Sequence, residues 1–382
     1  MKGPVNLKIP LVSAALLITA VGSGCLSCLA QSAAQAPRST LKYGRHPWEF
    51  AVSGDSRNCG DVVMPGIAEK VKQRGAVFYW HLGDLRAIYD VDEDIRQQPE
   101  HLLKPLTKPE YLDMAWNDFI HNQISPFGTV PFYLGIGNHE TIAPKDHAAF
   151  LAQFRSQLDL SNLRAQRLED DPADLEPKTY YHWNERGVDF INLDNATRDQ
   201  FDPEQIAWFE KTLGSDSADA RIGTIVVGMH EALPESLSKS HSMDQSQGGT
   251  QSGLRVYADL LNAQNKNHKR VYVLASHSHY FMDGTFNTDY WRTHGGILPG
   301  WIVGTAGAVR YALPPDADQA RAAMTNVYGF LSGTVYSSGR IQFEFQRLNE
   351  SDIPEAITAR YTADFVHWCF EKNSQAPVPA AH

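Results

Sequence analysis

Residues 130–140 read VPFYLGIGNHE, an apolar run followed at once by a polar motif. Val130–Ile136 has the length and the aromatic content of a buried β-strand. Gly137-Asn138-His139-Glu140 comes directly where that strand is predicted to end. In open α/β sheets, ligands bind beyond the carboxyl ends of the strands. The stretch therefore predicts a strand that carries polar side chains to a functional site.

The same pattern occurs four more times along the chain. The motifs are Gly54-Asp55-Ser56-Arg57, Gly83-Asp84, His230 and His277-Ser278-His279, which follow the runs WEFAVS, AVFYWHL, TIVVGM and VYVLAS. A single Asp or Asn at a strand end is usually a turn former or a helix cap. Five such motifs at one sheet edge instead predict a site for two metal ions. The mixture of oxygen and nitrogen donors suits Mn, Fe or Zn better than Ca or Mg alone.

Strand and helix patterns alternate around these motifs, which predicts an α/β fold with an antiparallel, α+β-like portion late in the chain. A hairpin is predicted from two apolar runs joined by Asn184-Glu185-Arg186-Gly187. Ile353–Glu371 is predicted to be one terminal helix. Two long polar stretches, residues 86–107 and 236–252, are predicted to be loops that either rim the site or are solvated insertions.

The first thirty residues resemble a targeting segment. Lys2 and Lys8 precede an apolar run, Ile9–Val21, and Cys28-Leu29-Ala30 offers a small-x-small cleavage site. The run is too short for a comfortable membrane span. We therefore expect a signal peptide at 1–30, a flexible linker at 31–44 and a single domain at 45–382. The mature protein is then exported, to the periplasm or the extracellular space, and a lipoprotein is the minority alternative.

Composition and cysteine content limit the remaining possibilities. The 382 residues carry a formal net charge of −10, which argues against a nucleic-acid polymer or an anionic membrane as partner. Removal of the signal leaves Cys59 and Cys369. In an exported protein these two either form a disulfide or remain buried thiols. Nothing in the sequence predicts an oligomeric state.

The motif series resembles that of the calcineurin-like metallophosphoesterases, which runs D-x-H, G-D, G-N-H-[E/D], H and G-H-x-H. The resemblance covers residues 48 to about 279, and GNHE in order with the other four motifs is specific. It implies two mixed β-sheets packed as a sandwich and flanked by helices. It also implies that Asp84 bridges two metal ions. The implied ligands are Asp55 and His279 for the first ion, and Asn138, His230 and His277 for the second.

The resemblance further implies a phosphoric ester hydrolase in which a hydroxide held by the two metal ions attacks phosphorus in a small phosphorylated substrate. His139 is implied to stabilise charge on the phosphoryl group or to protonate the leaving oxygen. Glu140 is implied to orient His139 or an adjacent group. The alternative is a degenerate member of the family that binds phosphorylated ligands without turnover.

Arg57 departs from the family pattern, because it stands where the D-x-H motif has His. A guanidinium stays protonated and cannot be an ordinary metal ligand. Either water, Asn58 or Tyr89 completes the shell of the first ion, or the first site is weak or empty. In the third interpretation, which we favour, Arg57 contacts the substrate phosphate and water fills the open position. Purple acid phosphatases, in the same superfamily, also lack this His, so the chain is distantly similar to them.

Overall fold

The structure, a computed structural model, describes residues 43–375 except positions 45 and 198. The predicted signal peptide and nearly all of the predicted linker lie outside the described residues, so they stay predictions, as does the single domain at 45–382. Twelve strands lie within the described ranges. They are β1 Trp48–Ser53, β2 Tyr79–His81, β3 Phe132–Leu134, β4 Tyr181–Glu185, β5 Val188–Asn192, β6 Thr224–Met229, β7 Arg270–Ala275, β8 Phe281–Asp283, β9 Gly300–Val303, β10 Ala322–Met324, β11 Tyr328–Val335 and β12 Ile341–Leu348.

The strands form two mixed sheets. The first has the order β12-β11-β1-β2-β3, and the second has the order β10-β8-β9-β7-β6-β5-β4. Strands β1, β2 and β3 are parallel, and their last residues, Ser53, His81 and Leu134, are in register. Strands β6 and β7 are also parallel and end together, at Met229 and Ala275. Every motif named above therefore leaves its sheet at the carboxyl end of a parallel strand.

Helices cover the outer faces of both sheets. They are α1 Gly60–Arg74, α2 Glu93–Arg96, α3 Pro99–Leu103, α4 Lys108–Phe119, α5 His147–Gln153, α6 Arg155–Leu158, α7 Ser161–Asp170, α8 Pro203–Ala218, α9 Gln247–Asn265, α10 Asp289–Thr293, α11 Glu355–Tyr361 and α12 Ala363–Glu371. Apolar residues of α1 and α4 pack in one buried cluster with the first sheet. Those of α8 and α9 pack in another with the second sheet.

An aromatic core joins the inner faces of the two sheets. The ring of Phe50 in β1 lies 5.0 Å from that of Phe190 in β5, edge to face, and Trp80 in β2 lies 5.2 Å from Trp183 in β4. The sheets meet so closely that a Cβ added at Gly228 would lie 2.2 Å from the ring of Trp80. The predicted fold class, two mixed sheets packed as a sandwich and flanked by helices, is confirmed.

Some boundaries differ from the sequence-based expectations for local reasons. The predicted hairpin closes with two residues, Arg186 and Gly187, whose φ values of 50° and 81° fit the tight turns that match strand twist. The predicted terminal helix is interrupted at Thr362, where φ is 67° and the hydroxyl caps α12. The predicted loops were partly wrong, because α2 and α3 lie within residues 86–107 and α9 begins at Gln247.

A disulfide joins Cys59, just before α1, to Cys369 in α12; the two cysteines are 310 positions apart in the sequence, and their Cα atoms are 6.0 Å apart. It links the C-terminal helix to the segment that follows the first motif. Within the described ranges, none of the helices combines the length and apolarity that a membrane crossing requires.

Candidate metal centre

Three of the predicted metal ligands stand in strained backbone positions directly after their strands. The φ values of Asp55, Asp84 and His277 are 61°, 59° and 61°. Non-glycine residues adopt this left-handed region rarely, and such positions cost about 1–3 kcal/mol each. Each residue therefore makes a sharp turn shortly after the end of its strand. Close packing fixes the turns, because a Cβ added at Gly137 would lie 2.3 Å from Oδ1 of Asp84.

One donor cluster, called the second cluster here, consists of Asp84, Asn138, His230 and His277. One ligand atom from each of Asp84, His230 and His277 lies within 4.8 Å of the other two. Nε2 of His230 lies 2.9 Å from Nδ1 of His277, 3.0 Å from Oδ1 of Asn138 and 3.3 Å from Oδ1 of Asp84. The other ring nitrogen of His230 lies 3.0 Å from the carbonyl oxygen of Leu82. Nδ1 therefore donates to that carbonyl, and Nε2 faces the cluster.

The first cluster consists of Asp55, Asp84 and His279, whose ligand atoms also lie within 4.8 Å of one another. Oδ1 of Asp55 lies 3.1 Å from Nε2 of His279. Nδ1 of His279 lies 2.6 Å from the carbonyl oxygen of Val309, so this ring too presents Nε2 to the cluster. Asp84 belongs to both clusters, as a residue that bridges two ions would.

The donor atoms fit a pair of cations. Oδ1 of Asp55 and Oδ2 of Asp84 are fully buried and accept no hydrogen bond from any described residue. Buried carboxylate oxygens that accept no hydrogen bond are costly unless a positive charge lies close to them. Carboxylate oxygens with imidazole nitrogens suit transition metals such as Mn, Fe or Zn. The structure therefore brings together all six predicted ligands in a site that can hold metal.

The electrostatics of the shared carboxylate also call for positive charge. Burial would raise the pKa of Asp84, but the charges of His139 and His230 outweigh it and hold the pKa well below its ordinary value. Burial likewise disfavours a charged His230, yet the Asp84 carboxylate raises the pKa of His230 to about 10. Without metal, a proton on His230 thus stands where a cation would bind.

Arg57 lies inside the first cluster rather than outside it. Its Nη2 is 3.0 Å from Nε2 of His279, and its Nε is 3.8 Å from Oδ2 of Asp84. Two phenol oxygens hold the other side of the guanidinium: Tyr89 at 3.2 Å from Nη1 and Tyr311 at 3.4 Å from Nη2. The residue is only 6% exposed.

The two predicted catalytic residues of the GNHE motif have different surroundings. Nε2 of His139 lies 3.6 Å from Oδ2 of Asp84, and its Nδ1 lies 2.6 Å from the carbonyl oxygen of Ala87. Glu140 instead faces backbone. Its carboxylate accepts hydrogen bonds from the amides of Asp84, Leu85 and Gly137 at 2.9, 3.0 and 2.8 Å. It therefore ties the strand ends β2 and β3 together, although burial and the Asp84 charge raise its pKa to about 8.

A buried ion cluster anchors the segment that follows Asp84. Arg86 is fully buried and pairs with Asp94 at 2.9 Å and with Asp61 and Asp118. These carboxylates come from α1, α2 and α4. The segment after β2 is thus held from three sides, and so is the left-handed turn at Asp84.

Sequence reasoning missed two aromatic residues at the site. The Tyr311 ring stacks on that of His279, with centroids 3.9 Å apart, and no motif around position 311 signals this. His241 is the second of these residues. Its ring lies 5.0 Å from Tyr311 and 5.7 Å from His277. A short 3₁₀ turn, Lys239–His241, brings it there.

The chain matches no protein-family model and no curated protein. Solved structures do match. A purple acid phosphatase, PPD1 from yellow lupin (Lupinus luteus), aligns with TM-score 0.52 and 16% identity over 79% of this chain and 51% of its own. PhoD aligns with TM-score 0.50 and 15% identity over 80% of this chain and 72% of its own.

The fold is that of the metallophosphoesterases. This confirms the fold implied by the motif series. The chain spans about half the length of the lupin phosphatase. At this identity the likeness concerns the metallophosphoesterase fold alone.

Proposed function

We propose that this protein is an exported, metal-dependent phosphoric ester hydrolase with a dinuclear metal centre. One observation carries the proposal: two clusters of buried donor atoms share the carboxylate of Asp84. When bound, two such ions lower the pKa of a water nucleophile and neutralise charge on phosphoryl oxygens. The ions would be held by Asp55, Asp84 and His279 at one position and by Asp84, Asn138, His230 and His277 at the other.

The residues around the clusters supply the rest of the chemistry. The His139 ring is fixed by the Ala87 carbonyl, so Nε2 is the atom that can carry and release a proton. Burial lowers the pKa of His139, and the charge of Arg57 lowers it further. A dianionic substrate near Nε2 favours the protonated ring. The proton then passes from Nε2 to the leaving oxygen.

Arg57 and the overall charge support a small phosphorylated substrate. Arg57 can donate two parallel hydrogen bonds to phosphate oxygens, a geometry that Lys lacks. The acidic chain disfavours a nucleic-acid polymer. The Cys59–Cys369 disulfide supports export, since such bonds persist in oxidising compartments.

The test combines metal analysis with turnover. Purified protein is freed of metal, reloaded with Mn²⁺, Fe²⁺ or Zn²⁺, and assayed with p-nitrophenyl phosphate and bis-p-nitrophenyl phosphate. We expect metal-dependent hydrolysis that falls by about 10²–10⁴-fold in His139→Ala. His294→Ala is the matched control, because His294 is exposed and its ring stacks on that of Tyr290. Full metal loading without hydrolysis of either ester would contradict the proposal.

A second candidate function is phosphate-ligand binding without turnover. The observation that favours it is the guanidinium of Arg57 between His279 and Asp84, where it opposes loading of the first cluster. A binder is indicated if the loaded protein binds inorganic phosphate tightly, yet His139→Ala and wild type hydrolyse both esters at the same background rate.

A further inference from the structure

The contacts of Arg57 carry an inference that rests on the proposed function. We propose that the Arg57 guanidinium is the resident cation of the first cluster, and that this cluster takes up a metal ion only by displacing it. The second cluster then loads first and tightly, and the first cluster loads second and weakly. Arg57 thereby sets the occupancy of the centre.

A single lone pair, on Nε2 of His279, faces the guanidinium of Arg57. Arg57 has only donors, so the 3.0 Å contact requires His279 Nε2 to accept. Nδ1 of the same ring donates to the Val309 carbonyl at 2.6 Å, which leaves the lone pair on Nε2. A metal ion at the first cluster needs that same lone pair. The guanidinium and the ion cannot use it together.

The two oxygens of the shared Asp84 carboxylate face different clusters. Arg57 approaches Asp84 at Oδ2, at 3.8 Å, whereas His230 approaches it at Oδ1, at 3.3 Å. The guanidinium therefore lies on the first-cluster side of Asp84. The guanidinium contacts His279 Nε2 and Asp84 Oδ2, so a metal ion that binds on the Oδ1 side, in the second cluster, does not have to displace it. Arg57 keeps its charge and stays tethered to the chain.

A displaced Arg57 side chain can move out of the cluster on the side of Tyr89. The Tyr89 hydroxyl contacts Nη1 at 3.2 Å, and Tyr89 is 56% exposed, so the path out of the cluster opens on that side. The Tyr89 ring also lies 5.3 Å from that of His139. A guanidinium that swings toward Tyr89 stays beside the residue assigned to the leaving group, where a phosphate oxygen can accept its hydrogen bonds.

The experiment measures the binding of metal ions rather than the rate of turnover. The full-length mature protein, freed of metal, is titrated with Mn²⁺; free Mn²⁺ is followed by EPR and bound Mn²⁺ by elemental analysis after dialysis. In the wild type we expect two dissociation constants for Mn²⁺ that differ by about tenfold or more, a ratio that corresponds to roughly 1.4 kcal/mol. Asp55→Asn should abolish the weaker constant and keep the tighter one.

Two matched variants test the role of the charge. Arg57→Met removes the charge and adds only a soft thioether, which Mn²⁺ does not favour. The Mn²⁺ affinity of the first cluster should therefore increase by about tenfold, while that of the second cluster stays the same. Arg57→Lys keeps the charge and should keep the weak constant within about threefold of wild type. Circular dichroism verifies that each variant is folded. Tyr311→Phe, which removes one contact to Nη2, gives a milder strengthening if Arg57→Met does not fold.

The outcomes separate this inference from the proposed function. The role of Arg57 would be overturned by two equal Mn²⁺ dissociation constants in the wild type, or by a weaker constant that Arg57→Met and Tyr311→Phe leave unchanged. Neither result would contradict the proposed hydrolase function. Absence of any bound Mn²⁺ in the wild type would overturn both.

Discussion

Nε2 of His230 lies 3.3 Å from Oδ1 of Asp84, inside the second cluster. Because Asp84 raises the pKa of His230 to about 10, the metal-free protein keeps this ring protonated at neutral pH. An ion must displace that proton, so binding is coupled to proton release. We predict that Mn²⁺ affinity increases by up to about tenfold per pH unit between about pH 6 and pH 8.

Isothermal titration in buffers of different ionisation enthalpy measures this release directly. The tight site should release close to one proton per ion. His230→Ala should bind more weakly and lose the pH dependence. A wild-type affinity that stays flat with pH would contradict the assignment of His230 as a ligand.

The pH profile of turnover is predicted to depend on the charge of Arg57. Burial lowers the pKa of His139, and Arg57 lowers it further, below its ordinary value of 6.5. If His139 must be protonated to act, kcat/KM falls as pH rises through that pKa. Removing a neighbouring positive charge raises the pKa, so Arg57→Met should move the high-pH limb to higher pH. Rate profiles of metal-saturated wild type, Arg57→Met and Arg57→Lys check this, and a limb that moves to lower pH in Arg57→Met refutes it.

Glu140→Gln is predicted to loosen the strand ends that carry Asp84 and Asn138. An amide nitrogen cannot accept from a backbone N–H, so at least one of the three hydrogen bonds of Glu140 is lost. We expect a loss of about 1–3 kcal/mol in the free energy of unfolding, measured by urea denaturation, together with weaker Mn²⁺ binding.

Glu231→Gln is the control for that variant. Glu231 is buried beside His230, but its Oε2 accepts no hydrogen bond from any described residue, so it lacks the backbone contacts that Glu140 makes. Glutamine should replace it at a cost below about 1 kcal/mol. The idea that Glu140 fixes the motif backbone fails if both variants lose the same stability.

Loss of the disulfide is predicted to destabilise the fold but to leave metal binding by the two clusters unchanged. The bond closes a loop across most of the chain, so its removal should cost about 2–5 kcal/mol. The ligands are held by strand ends and not by α12. We therefore expect Cys59→Ala/Cys369→Ala to unfold at lower urea concentration yet to bind Mn²⁺ normally below that point. Unchanged urea stability would contradict the first expectation.

The sequence made the strand-end motifs predictable because each combines an apolar run with a polar turn. That local signal is sufficient to locate Asp55, Asp84 and His277. The order of the motifs along the chain predicts that these residues meet at one site. The glycines needed for close approach were partly visible as well. A Cβ added at Gly304, in the short glycine-containing stretch GTAG, would lie 2.8 Å from Oδ2 of Asp55.

Other features depended on tertiary contacts that no local pattern encodes. Tyr311 reaches His279 from a segment after β9, and its neighbours resemble any loop. Arg57 could be recognised as a departure from the motif, but its place between His279 and Asp84 required the geometry. The break at Thr362 was hidden because its hydroxyl, not a Gly or Pro, caps the next helix.

The most direct test of the shared metal centre is anomalous scattering from crystals grown with saturating Mn²⁺ or Zn²⁺. We predict two peaks bridged by the Asp84 carboxylate, one bounded by Asn138, His230 and His277 and the other by Asp55 and His279. Density that places metal elsewhere, with none within coordination distance of Asp84, would contradict the account.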